Sequence, residues 1–243
     1  MIHTGILAHS PDGSALCYLA LIHMGHARFG GYGLADVTLD YIPMGRSKAA
    51  WDRGDHGSIR ETLARSVARL EAAGAEFFIC PDNTAHIALE TPGPDLALPG
   101  LNIGDIVAGQ ARKEGRHCVA ILGTDYTMTG PVYPRALSAR GIAHMIPEPA
   151  ERAEIHRIIF DELCCGIVSE ESRGVYVGII ERMKERGCDA AALVCTEIPL
   201  LVTPETSPLP TLDSTRLLAA AGFEVSAGER PLPDWRGGPV PAA

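Results

Sequence analysis

"RLEAAGAEFFICPDNT", residues 69–84, reads as the end of a helix, a glycine, a short buried strand and a cluster of polar side chains. The same order returns in "RMKERGCDAAALVCTE", residues 182–197. In both, an amphipathic stretch stops at a glycine, an acidic residue follows two positions on, and an apolar run then delivers short polar groups. Gly74 lies eight residues before Asp82 (82 − 74), and Gly187 eight before Cys195 (195 − 187). The first apolar run has a counterpart as well: "GILAHS" from Gly5 resembles "AILGTD" from Ala120. Its offset is 115 (120 − 5), against 113 for the later pair (195 − 82). Two landmarks sharing nearly one offset point to an internal duplication, against the plainer reading that any chain of βα units yields such echoes.

Working outward, apolar runs at 4–8, 35–41, 76–80, 118–123, 142–145 and 190–195 alternate with helical patterns. That alternation predicts βαβ units and parallel sheets. The best-marked helix spans 59–73. Ser58 and Glu61 stand at a capping-box spacing, Ile59, Leu63, Val67 and Leu70 form its apolar stripe, and Gly74 is its left-handed stop. The expected fold is α/β, with two pseudo-symmetric Rossmann-like (flavodoxin-like) domains, parallel sheets and an interdomain cleft. The Pro/Gly-rich "TPGPDLALPG" (91–100) and "TPETSPLPT" (203–211) punctuate the chain. The first domain is therefore placed at 1–100 plus 207–243, with "LDSTRLLAAAG" as a returning helix, and the second at 101–206. The end, "GERPLPDWRGGPVPAA", is expected to be irregular or bound to a partner.

A chain of 243 residues with 46% hydrophobic content can bury one large core or two small ones. Net charge is −9 and no Lys/Arg-rich block exists, so no nucleic-acid partner is expected. The apolar run at 16–22, "LCYLALI", falls far short of the roughly 20 residues of a membrane span. No basic segment precedes it, as one would in a signal peptide. Seven scattered cysteines without C-x-x-C fit reduced thiols and a cytoplasmic chain. His23 and His26 are three apart with no third ligand nearby, so no metal site is expected.

In parallel α/β sheets, sites lie beyond the carboxyl ends of the strands. Four such ends carry polar residues: "AHSPDGS" from Ala8, "PDNTAH" from Pro81, "LGTDYTMTG" from Leu122 and "VCTEIP" from Val194. If the two halves face each other, Asp82 and Cys195 are equivalent, with Asn83, Thr84, Thr124 and Thr196 as uncharged donors suited to a carboxylate. No Gly-rich dinucleotide or phosphate-loop fingerprint is present at these ends. Asp82 has a bland reading as a helix cap, and Cys195 one as an inert buried thiol. Glu197 is open between orienting the thiol, contacting a substrate amine and holding the domains together. His86, one turn beyond Asp82, either tunes that acid or bonds to backbone.

"CPDNTAH", "LGT", "VCTEIPLL" and "LDSTR" resemble the aspartate/glutamate (hydantoin) racemase superfamily, across most of the chain. The resemblance implies two pseudo-symmetric α/β domains, often paired as a homodimer, that need no cofactor or metal and act on a small carboxylate-bearing substrate. In its racemases, two cysteines remove and return a proton on opposite faces of the substrate α-carbon. It implies catalytic roles for Cys195 and for the residue at position 82, and substrate contacts at Asn83, Thr84, Thr124 and Thr196. More loosely, it implies contacts at Ser10 and Arg46.

Where that pattern has "CNT", this chain has "DNT". Cys80, two residues earlier, is too far from the strand mouth to replace the missing thiol. Reference pKa values near 3.9 for Asp and 8.5 for Cys differ by about 4.6 units, or roughly 6 kcal/mol. A symmetric two-base exchange prefers matched bases. Either the pocket raises Asp82, giving an amino-acid racemase with an Asp82/Cys195 pair, or the reaction is one-sided. A decarboxylase, a cis–trans isomerase or a lyase fits the second case. A two-lobed binding protein without chemistry is the reading from another class.

Overall fold

The computed structural model of the chain describes residues 1–31, 33–34 and 36–240. These fall into two compact units, residues 1–103 with 215–240, and residues 104–214. The first unit is built on strands β1 (Thr4–Ala8), β2 (Val37–Tyr41), β3 (Phe77–Ile79) and β4 (Gly100–Leu101), in the order β2-β1-β3-β4. The second is built on β5 (Cys118–Gly123), β6 (Ala143–Met145), β7 (Ala190–Val194) and β8 (Thr211–Asp213), in the order β6-β5-β7-β8. All pairings are parallel. Every residue of the central strands β1, β3, β5 and β7 is buried, which is why these runs are continuously apolar instead of alternating.

The duplication is present in the register itself. Ile6 pairs with Ile79 in the first sheet, and Ile121 with Ala192 in the second. The offsets are 115 (121 − 6) and 113 (192 − 79), the same two that the sequence motifs gave. Identical strand order and register make Asp82 and Cys195 (195 − 82 = 113) equivalent points of two copies of one unit.

The expected strands 4–8 and 118–123 are found with those bounds, and the other four with ends shifted by one or two residues. Of the expected 35–41 strand, Ala35 lies outside the described residues. Edge strands β4 and β8 were not expected, because two or three residues are too few to show a period. β8 also moves a boundary: Ala191, Ala192 and Leu193 pair with Thr211, Leu212 and Asp213, so the chain leaves the second unit at 215 and not at 207. The Ser214–Ser226 helix then follows directly.

The 59–73 helix begins three residues earlier than expected, as His56–Ala72. Asp55, not Ser58, is its cap: its Oδ1 accepts from the Ser58 amide at 3.1 Å and its Oδ2 from the Ser58 hydroxyl at 2.7 Å. The stripe Ile59, Leu63, Val67 and Leu70 is fully buried. Gly74 at φ +93° and Gly187 at φ +102° close the two equivalent helices in a conformation that glycine adopts without strain.

Residues 228–240 form no helix or strand, yet they are tied to the first unit. Leu96 N donates to Arg236 O, Gly100 N to Trp235 O and Gly238 N to Leu89 O, each at 2.8 Å. The Trp235 ring stacks on His86 (centroids 6.0 Å, 13°) and meets Phe78 at a tilt. Trp235→Ala is expected to cost about 2 kcal/mol, because a half-buried aromatic and its pairings are lost. That corresponds to a fall in Tm of about 4–8 °C. An unchanged calorimetric Tm would show that the tail is not held in this way.

None of the seven cysteines is in a disulfide, and only Cys164 and Cys165 are exposed. Cys118 and Cys188 lie with sulfurs 3.6 Å apart, and burial followed by the shared hydrogen bond pushes Cys188 up to about 12. Thiolates are the reactive form. Titration of the native protein with a bulky aromatic disulfide should therefore show two fast thiols, with the other five appearing on denaturation. Four or more fast thiols would contradict the packing.

Candidate active site

The carboxyl ends of β1 and β3 meet in the first unit. Continuing the Ile6–Ile79 register three residues sets His9 opposite Asp82. Asp82 is 9% exposed, and its Oδ1 accepts from the Ala85 amide at 2.9 Å, capping the Ala85–Leu89 helix. The bland role is thus real. Its Oδ2 accepts no hydrogen bond among the described residues, so one oxygen of the carboxylate is left for other work.

His86 fixes the same turn. Its Nε2 accepts from Ile103 N at 3.2 Å, which leaves the proton on Nδ1 to donate to the backbone oxygen of Asp82 at 2.9 Å. Burial lowers its pKa, so it stays neutral. His86 is a backbone strut beneath Asp82. Cys80 is fully buried, and burial and then the Asp82 charge push its thiol well up.

Asn83 and Thr84 are buried at 3% and 5% exposure within the same turn. Ser10 caps the Pro11–Phe29 helix without a side-chain cap bond. Arg46 sits exposed in the turn Met44–Ser47 after β2, and its guanidinium makes no hydrogen bond or ion pair among the described residues. His9 was given no role by the sequence. Its Nδ1 bonds to Ile42 O at 2.8 Å and its buried Nε2 has no partner.

The equivalent ends of β5 and β7 form the cluster of the second unit. Gly123 pairs with Val194, so Thr124 continues the register beside Cys195. A Cβ on Gly123 would lie 2.8 Å from Val194 O, which is why the strands can approach so closely there. Thr124 Oγ1 accepts from Thr127 N at 3.2 Å and caps the Asp125–Thr129 helix.

Cys195, Thr196 and Glu197 are 8%, 5% and 4% exposed. The Cys195 thiol donates to Glu197 Oε2 at 3.0 Å, and the Thr196 hydroxyl donates to the same oxygen at 2.7 Å. Burial, then the Glu197 charge and hydrogen bond, hold the Cys195 thiol well above its usual range. The resting group is therefore a protonated thiol, and its thiolate, once formed, is a strong base. Of the readings left open for Glu197, this hydrogen bond accords with the first, orienting the thiol.

Comparison with known proteins fits this geometry. The family model described as Asp/Glu/Hydantoin racemase matches residues 10–222, a span that includes Asp82, Cys195 and all but the first of the eight strands. The chain belongs to the Asp/Glu/Hydantoin racemase family. Among solved structures, this racemase-family chain is similar to a putative Asp/Glu racemase from Yersinia pestis (TM-score 0.82, 29% identity, covering 93% of this chain and 100% of that one). It is also similar to an aspartate racemase homologue from Pyrococcus horikoshii OT3 (TM-score 0.78, 25% identity, 93% and 100%). A broad specificity amino-acid racemase from Bacillus subtilis is 22% identical over 169 residues, 68% of this chain and 71% of the relative.

Among the described residues of this racemase-family member, no three His, Cys, Asp or Glu side chains converge as a metal site, and no helix is long and apolar enough to cross a membrane. His23 and His26 are exposed on one helix. Sequence reasoning missed one buried group on which the Cys195 charge acts: Tyr176, whose position in the Glu170–Glu185 helix reads as ordinary core.

Proposed function

We propose that the protein is an amino-acid racemase-type enzyme whose Asp82 carboxylate and Cys195 thiol act on one α-carbon of a small carboxylate-bearing substrate. The observation that carries this reading is the buried Cys195 thiol that donates its hydrogen to the Glu197 carboxylate. A cysteine kept only for packing needs no such acceptor.

Starting from the Asp82 carboxylate and the Cys195 thiol, Asp82 takes the α-proton, and the electron pair of the broken C–H bond spreads into the substrate carboxylate. Cys195 then gives its proton to the opposite face of the carbon, leaving a thiolate beside Glu197, and exchange with solvent restores the pair. The opposite enantiomer needs the reverse arrangement, with the proton on Asp82 and Cys195 as thiolate. Burial makes that thiolate a stronger base, as removal of an α-proton requires. Arg46 supplies the cation for the substrate carboxylate, and Ser10, Asn83, Thr84, Thr124 and Thr196 the uncharged donors.

One observation favours a second reading. Asp82 spends Oδ1 on the Ala85 amide, which ties it more closely than a free base. In a one-sided reaction, such as decarboxylation, Cys195 alone delivers a proton. Incubation in heavy water with candidate amino acids and their derivatives separates the two. Racemisation places deuterium at the α-carbon of both enantiomers. Release of CO₂ with deuterium in the product selects the one-sided reading. Tight binding with neither outcome across a broad panel would overturn both.

A further inference from the structure

The Glu170–Glu185 helix packs its buried face against two segments of the second unit. Arg173 Nε donates to Leu201 O at 2.8 Å, which joins the helix to the turn that follows Cys195. Ser172 Oγ donates to Glu162 Oε2, which joins it to the irregular turns Ile158–Glu162 and Leu163–Cys165. The first of these is a π-helical turn, a feature frequent at functional sites. Tyr176 lies one turn beyond Ser172 and three residues beyond Arg173, and is 0% exposed. Its hydroxyl has no hydrogen-bond partner among the described residues. A buried unpaired hydroxyl is destabilising, so its retention calls for an explanation.

We propose that Tyr176 is a positioning residue for the Cys195 thiol: its hydroxyl donates, directly or through one water, to the negative charge that Cys195 and Glu197 share once the thiol proton has left. The groups whose charges act on the phenol are acids: Cys195 and Glu197 after β7, and Glu162 and Cys164 from the irregular turns. Burial first, and then these four, hold the phenol well above its usual pKa, so the hydroxyl remains a neutral donor. Cys195 in turn faces Glu197 and Cys164. The ionisable groups that act on the thiol are therefore acids, opposed by the backbone amide of Glu197, and a second donor would ease the charge on the thiolate. In the resting protein Glu197 accepts both the Cys195 and the Thr196 hydrogens, and the Tyr176 hydroxyl stays idle. It is used only when charge appears, the condition under which a contact lowers a barrier without tightening the ground state.

This inference deepens the reading above, since it concerns the same thiol, but its test reads the thiol directly. Alkylation of Cys195 by iodoacetamide is followed across pH by peptide mass spectrometry in the native protein and in Tyr176→Phe, with exposed Cys165 as internal reference. Loss of a hydrogen bond to a charged group predicts about a tenfold slower alkylation of Cys195 at pH 8 and an alkaline shift of its profile by about one pH unit. The Cys165 rate stays the same, and Tm stays equal or rises, because an unpaired buried hydroxyl has been removed. Superimposable Cys195 profiles, or faster alkylation in the variant, would overturn the proposal, as would a fall in Tm with the profile unmoved. Activity need not be measured, so the test stands even if the racemase reading fails.

Discussion

Cys195→Ala is expected to lower kcat by at least about a thousandfold, at the upper end of what a positioned acid or base contributes. The thiol is the group in the second cluster whose proton is held ready by a buried carboxylate, and alanine leaves Glu197 with only the Thr196 hydroxyl. Both directions of a racemisation should fall together, since each needs the sulfur once, as donor or as base. The fold should survive: the residue lies one position past β7, and its thiol hydrogen-bonds to the Glu197 carboxylate. A stability change of about 1 kcal/mol is expected, or about 2–4 °C in Tm. Kinetics with each enantiomer separately, beside a calorimetric scan, check both statements. Turnover within a few fold of the native protein would remove Cys195 from the chemistry.

Asp82→Asn is expected to lower kcat by about a hundredfold to ten thousandfold with little change in Tm. The side chain has two functions that this substitution separates. The amide oxygen of asparagine can still accept from Ala85 N, so the cap on the Ala85–Leu89 helix remains. The basic oxygen is gone. Asp82→Ala deletes both, and should add a loss of about 1 kcal/mol to the same loss of activity. Were Asp82 a cap and nothing more, Asp82→Asn would be fully active and Asp82→Ala impaired through stability alone. The pair of variants therefore decides between the two roles on opposite patterns of kcat and Tm.

The fold was legible because a duplicated unit repeats its own evidence. Gly74 and Gly187 stop equivalent helices, and the offsets 115 and 113 recur as strand register. The central strands showed themselves as continuous apolar runs, since burial on both faces removes alternation. β4 and β8 stayed hidden because two or three residues, one of them Gly100, carry no period. The boundary at 215 was invisible for the same reason, being set by β8 pairing with β7. The helix start moved from Ser58 to Asp55 because Asp55 and Ser58 bond to each other, and either residue type signals a cap in the sequence.

The chemistry was legible where it depends on chain neighbours. Cys195, Thr196 and Glu197 are consecutive, so their shared hydrogen bonds lie within one turn. Asp82 and His86 are one helical turn apart, and the bond between them is local too. The unpaired nitrogen of His9 and the unpaired hydroxyl of Tyr176 were not legible. Both follow from packing between segments distant in sequence, and a histidine after a strand or a tyrosine inside a helix has no distinguishing local pattern. The stacking of Trp235 on His86 is hidden in the same way, with 149 residues (235 − 86) between the partners.

The central claim is that a carboxylate and a thiol, at equivalent points of the two units, serve one α-carbon. A crystal structure of Cys195→Ala with bound substrate tests it most directly, because the variant halts turnover and preserves the ligand. The account predicts the Asp82 carboxylate within about 3–3.5 Å of the α-carbon, the approach of reacting groups, with the Cβ of position 195 on the opposite face of the same carbon. A ligand whose α-carbon meets only one of the two residues, or lies against neither, would contradict it.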